Sequence, residues 1–135
     1  MGYTHYWEND KELTQDERDG IEEDVTAILS AAPVPLAGWD GAEGEPSVGG
    51  DQCVSLNGRG DYSHETFTFP GKSGFNFCKT ARKPYDVVVT AILIAAENRA
   101  PHAFGYSSDG SHADWEAGLE LAEWATGREL GIRFS

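Results

Sequence analysis

Phe75-Asn76-Phe77-Cys78-Lys79-Thr80-Ala81-Arg82-Lys83-Pro84-Tyr85-Asp86 reads as a strand, a basic cluster and the start of a helix, and an uncharged run from Val87 to Ala96 follows it. Periodicity alone does not separate a buried strand from a buried helix in such a run. Pro84 suits a first helical turn, where its missing N–H is no loss, and the run continues into Glu97 and Asn98 through an Ala pair. The reading is a central apolar helix packed on most sides. Lys72, Lys79, Arg82 and Lys83 lie close together with no carboxylate before Asp86, in a chain with 10 Lys plus Arg against 23 Asp plus Glu. Free backbone N–H groups at a helix start favour an anion. Cations there oppose the helix by roughly 0.3 to 1 kcal/mol each, so the cluster calls for an anion to offset it.

Upstream, Met1 to Glu8 is dense in aromatic residues and reads as a first strand, with Tyr3, His5 and Trp7 on one face and Thr4, Tyr6 and Glu8 on the other. Thr14-Gln15-Asp16-Glu17 is a capping box that opens a helix. Ile21, Val25, Ile28, Leu29 and Ala32 follow helical spacing, Gly20 weakens the first half and Pro33 stops it. Asp16, Glu17, Asp19, Glu22, Glu23 and Asp24 form its solvated face. Short strands are expected at Pro35 to Trp39, Gln52 to Leu56 and Glu65 to Phe69, with Gly41 to Gly50 as a long polar connection and Arg59-Gly60-Asp61 as a turn.

Downstream, Phe104 to Tyr106 reads as a strand and Ser107-Ser108-Asp109-Gly110 as a turn. Ser111 with Asp114 opens a helix through Trp115, Leu119, Ala122 and Trp124 that ends at Gly127, and Leu130, Ile132 and Phe134 alternate as an edge strand would. The expected fold is α+β, a single domain over residues 1-135, with a mainly antiparallel sheet and about three helices.

With 135 residues, 39% hydrophobic content and four Trp, the chain fills one core. A formal charge of -13 excludes wrapping of nucleic acid and docking on anionic membranes, but leaves room for a small anion at a local pocket. Met1 to Asp10 has no cationic segment followed by an apolar run, and no apolar stretch is long enough to span a bilayer, so a cytoplasmic protein is expected. Cys53 and Cys78 read as buried thiols, and His5, His64, His102 and His112 show no metal-ligand spacing. No metal and no cofactor are expected.

Gly2-Tyr3-Thr4-His5-Tyr6-Trp7, Phe77-Cys78-Lys79-Thr80-Ala81-Arg82-Lys83-Pro84-Tyr85-Asp86, and Ser107-Ser108-Asp109-Gly110 with Asp114-Trp115 together resemble a family of small bacteriophage and prophage proteins. The likeness runs from end to end apart from the glycine-rich middle. It implies a phage product working in a bacterial cytoplasm and brings no activity with it.

The residues themselves suggest a ligand. Tyr3, His5 and Trp7 offer flat faces, Lys79, Arg82 and Lys83 offer charge, and Thr80, Ser107, Ser108 and Asp109 offer polar groups and backbone donors; a nucleotide needs all of these. Three function classes follow. First comes a binder that sequesters a phosphorylated, nucleotide-like small molecule to blunt host defence, as a homodimer with Tyr3, His5 and Trp7 lining the site or its subunit boundary. The second is an inhibitor whose acidic first helix meets a host protein. Third is a small hydrolase or transferase with Cys78 or Ser108 as nucleophile, activated by His5 or His64.

Overall fold

The uncharged run is a helix, Asp86–Arg99, and ten consecutive residues of it, from Val88 to Glu97, are buried. A helix apolar on all sides is stable only when neighbours cover every side. In this computed structural model, which describes residues 2–42 and 44–134, two further helices and a sheet do so. Met1 and Glu43, in the expected first strand and glycine-rich connection, and the terminal Ser135 lie outside the described residues.

In chain order the elements are β1 (Thr4–Asn9), α1 (Gln15–Ala31), β2 (Leu36–Ala37), β3 (Ser47–Gly49), β4 (Gln52–Gly58), β5 (Phe67–Phe69), β6 (Gly74–Lys79), α2 (Asp86–Arg99), β7 (Phe104–Ser108) and α3 (Glu116–Thr126). Short 3-10 turns stand at Gly60–Tyr62 and Ala113–Trp115. The fold is α+β with antiparallel pairing, divided between two sheets rather than gathered in one. The first has the order β6-β1-β7; in the second, β2, β3 and β5 all pair with β4.

The capping box forms as the sequence dictates: the Glu17 N–H donates to Thr14 Oγ1 at 3.1 Å and the Thr14 N–H to Glu17 Oε1 at 2.9 Å. Helix α1 ends two residues before Pro33. Its acidic face is not solvated throughout, because Asp24 is buried and receives hydrogen bonds from Arg99 (2.9 and 3.0 Å) and Arg128 (3.0 and 2.8 Å). Gly20 makes room for this: a Cβ there would stand 3.0 Å from the Arg99 guanidinium. Helix α3 lies close on α2, where a Cβ at Gly118 would come within 2.1 Å of Thr90 Oγ1, and it ends at Gly127 in the left-handed conformation, φ 69°.

Three local expectations are corrected. The Gly41–Gly50 connection contains β3, which turns at Gly49 and Gly50 (φ 91° and 82°) to pair back onto β4. Ser107 and Ser108 belong to β7, because that strand stays paired with β1 as far as His5↔Ser108, so only Asp109 and Gly110 make the bend. The last described residues, 130–134, form no strand; Phe134 makes one isolated bridge to Tyr106 and packs edge-on against Trp115.

Candidate functional site

All three segments singled out in the sequence meet at one corner of the first sheet, and β1 organises the meeting. Its pleat turns Tyr3, His5 and Trp7 inward, and all three are buried. Register then decides what each touches. His5 stands opposite Ser108 on β7 and Cys78 on β6. Its Nδ1 lies 2.7 Å from Ser108 Oγ, and its Nε2 lies 2.6 Å from Asp86 Oδ1 at the start of α2. Thr80 Oγ1 donates to the same carboxylate oxygen at 2.5 Å, and the Gly110 N–H donates to Ser108 Oγ at 2.8 Å. Tyr3 and Trp115 meet the imidazole edge-on, with centroids 5.1 and 5.0 Å away.

Above this buried layer lies a cleft of about 420 Å³, lined by Gly2, Tyr3, Ala81, Arg82 and Asp109. Ala81 and Arg82 both adopt the left-handed conformation, with φ 53° and 58°. That costs roughly 1–2 kcal/mol for each residue with a Cβ. It is imposed by bonds on either side: the Ala81 N–H donates to Tyr3 O at 3.2 Å and the Lys83 N–H to Thr80 O at 2.9 Å. The result aims the Arg82 guanidinium across the Tyr3 ring, 3.9 Å from its centroid. The Arg82 side chain remains 62% exposed, with a 3.5 Å ion pair to Asp114 as its acidic neighbour. Asp109 is fixed on the other wall, accepting from the Thr4 N–H at 3.1 Å and from the Tyr6 hydroxyl at 3.0 Å. Lys79 lies over Gly2, its Cε 2.8 Å from where a Cβ would stand. The cleft is therefore dipolar, with cations on one side and a carboxylate on the other.

The helix start already holds an anion of the chain's own. Asp86 opens α2 and collects hydrogen bonds from His5 and Thr80, so the free helix dipole and the basic island do not act on solvent alone. The sequence signal for Asp86 was its position directly after Pro84 and Tyr85, where an acidic residue suits a first turn.

Tyr3, Arg82 and Asp109 thus line the cleft, Lys79 borders it, and His5, Thr80 and Ser108 form the layer beneath. Three candidates lie elsewhere. Trp7 packs on Phe67 and Phe69 and donates from Nε1 to Pro70 O at 2.9 Å; it is core and offers no face. Lys83 Nζ donates to Asp61 O at 3.2 Å, and Ser107 opens on the outer face of the sheet beside Tyr6 and Phe75. Since His5 is wholly buried, it offers no face for a ligand to stack on. Five residues that shape the site were not among the candidates: Asp86 at the start of α2, Gly2 and Ala81 by backbone position, Asp114 as partner of Arg82, and Trp115 beneath His5.

Burial pushes the Cys78 thiol up to about 12, with the Glu65 carboxylate adding to the effect. Cys78, a nucleophile candidate from the sequence, is not placed as one: the thiol faces the core and donates to Glu65 O. Burial first, and then the Asp86 and Asp114 charges, raise the Tyr3 phenol above its ordinary value and keep it a donor. Among the described residues no group of His, Cys, Asp and Glu is placed to hold a metal ion, and no helix is long and apolar enough to cross a membrane. The chain matches no protein-family model, no curated protein and no solved structure.

Proposed function

We propose that this chain is a phage-type protein that binds and sequesters a phosphorylated, nucleotide-like small molecule, acting in the bacterial cytoplasm against a host defence signal. The observation that carries the reading is Arg82. It is held on a strained left-handed backbone, laid over Tyr3 and left largely open at the mouth of the cleft. Residues kept in such conformations concentrate at binding sites, because the surrounding bonds must over-determine them. A phosphate suits Arg82 and Lys79, since guanidinium binds it through paired charge-assisted hydrogen bonds. A ribose hydroxyl or a base N–H suits the Asp109 carboxylate opposite. The flat outer face of the guanidinium, rather than the covered Tyr3 ring, is the stacking platform for a base.

A second copy joins, in this reading, through the outer face of the first sheet. Phe75 and Phe77 are 49% and 57% exposed there, with Tyr6 stacked on Phe75 at 5.9 Å. The buried side chains of Tyr3, His5 and Trp7 are not part of that boundary. Light scattering tests the dimer, and Phe77→Lys is expected to return it to a monomer.

Calorimetry with nucleoside mono-, di- and triphosphates tests the function. Arg82→Ala and Lys79→Ala are each expected to weaken binding about tenfold, the equivalent of one charge-assisted hydrogen bond, without changing the melting temperature. Parent-like affinity in both variants, or no binding of any nucleotide by the parent, would remove the basis of the reading.

A further inference from the structure

We infer that Ser108 is an activated hydroxyl nucleophile, served by His5 as general base and by Asp86 as the group that orients it. The site would take an acyl ester or thioester whose anionic portion lies on Arg82. Its substrate class rests on the function proposed above; the nucleophile does not.

The protons decide the roles. Asp86 Oδ1 accepts from the Thr80 hydroxyl, and an ionised carboxylate 2.6 Å from His5 Nε2 requires that nitrogen to carry the proton. Nδ1 is then the free lone pair of the neutral ring, and Ser108 Oγ stands 2.7 Å from it. The Gly110 N–H already donates to Ser108 Oγ, leaving the hydroxyl proton to point at Nδ1. Carboxylate, imidazole and serine are thereby in series, each within hydrogen-bond reach of the next. Compared with the usual serine-hydrolase order the two ring nitrogens are exchanged. The chemistry tolerates this because either nitrogen can act as base while the other is held.

The surroundings fit a reacting oxygen better than a purely structural one. Ser108 is partly exposed, next in sequence to Asp109 of the cleft wall, while the histidine behind it is sealed from water. The Tyr3 hydroxyl is buried beside Ser108 and Gly110, where a Cβ on Gly110 would strike it at 2.1 Å, and it has no well-formed hydrogen bond among the described residues. A phenol in that position is a donor in search of an acceptor, and the oxyanion formed when Ser108 attacks a carbonyl is such an acceptor. In the step itself, Ser108 Oγ bonds to the carbonyl carbon and its proton passes to His5 Nδ1. The carbon–oxygen or carbon–sulfur bond to the leaving group then breaks, and the leaving group takes the proton from His5. Water attacks the acyl-serine by the reverse route and releases the acid.

The test is labelling of the full-length protein with an alkyl fluorophosphonate, followed by intact mass and peptide mapping. The expected result is one adduct per chain on Ser108, formed with loss of fluoride and absent from Ser108→Ala. Asp86→Asn should slow labelling by about 100-fold or more, the share general-base catalysis usually supplies. A network that only braces the fold gives no adduct in the parent protein, and that result, an adduct on another hydroxyl, or an unchanged rate in a folded Asp86→Asn variant would overturn the inference. Parent labelling decides the matter even if Asp86→Asn fails to fold. Labelling without nucleotide binding would sink the function above and the substrate class that rests on it but leave the nucleophile standing, and nucleotide binding without labelling would sink only this inference.

Discussion

Two buried polar knots tie this fold together, and they are built to different standards. Asp24 joins α1 to the end of α2 and to the segment after α3; four hydrogen bonds from two arginines satisfy its carboxylate, and both arginines reach out to solvent. Among the described residues no left-handed residue with a side chain stands beside it. His5 joins β1, β7 and the start of α2, and there the surroundings are unfinished: Ala81 and Arg82 are left-handed, and the Tyr3 hydroxyl and Trp115 Nε1 are buried without a well-formed hydrogen bond among the described residues. A buried donor without an acceptor costs on the order of 1–3 kcal/mol. A knot needed only for stability has no reason to carry those costs, and the proposal of a site at His5 rests on that contrast.

The largest effect that sharpens the contrast is expected from Asp24→Ala. Removing the carboxylate leaves two guanidinium groups facing each other in a partly buried position, and breaking such pairs costs on the order of 3 kcal/mol. Denaturant unfolding should show a loss of that size with ligand binding unchanged in the folded fraction. A loss below about 1 kcal/mol, the value of an ordinary surface pair, would mean that Asp24 is no brace.

The same residue sets an acid limit. Burial alone would raise the Asp24 carboxyl, but the hydrogen bonds from Arg128 and Arg99 outweigh it and hold the group below its ordinary value. A depressed folded value contributes stability that is complete above the unfolded carboxylate range, about pH 4, and is lost as pH falls through the folded value. Stability measured from pH 6 downward should therefore decline more steeply in the parent than in Asp24→Asn. Parallel curves would contradict the assignment.

A smaller effect distinguishes the site. Ala81→Gly relieves a left-handed Cβ, worth roughly 1–2 kcal/mol, while glycine gives back part of this through a freer unfolded chain. The net expectation is a gain of about 0.5 kcal/mol in stability. Binding should weaken, because Arg82 is no longer held over Tyr3. A variant that is stabilised and binds as tightly as the parent would show the strain to be incidental. Smallest of all, Cys78 should resist thiol reagents at pH 8 until the protein is unfolded, since its thiol is pushed up to about 12.

Much of the scaffold was legible because it rests on local rules. Thr14 and Glu17 cap α1, the alternation of Tyr3, His5 and Trp7 gives the buried face of β1, and Pro84 marks the approach to α2. The split into two sheets was not legible, because it depends on β4 gathering three short partners, two of them from glycine-rich sequence without alternation. Nor was the end of the chain: Leu130, Ile132 and Phe134 alternate, yet a strand needs a free edge along its length, and only Phe134 finds one at Tyr106. At the candidate site, aromatic and basic content pointed to the corner where the three segments meet, but not to which side chains face the cleft. Whether an aromatic residue on β1 faces a ligand or the core depends on which layer covers it. Asp86 acquires its meaning only when register brings His5 to it across 81 residues of sequence.

Native mass spectrometry tests the central claim most directly. The protein, incubated with a small-molecule extract of bacterial cells and desalted, is weighed intact and after denaturation. The account predicts a native mass above the denatured one by a phosphorus-bearing small molecule, and loss of that excess in Arg82→Ala. Equal masses, or an excess that survives in Arg82→Ala, would contradict it.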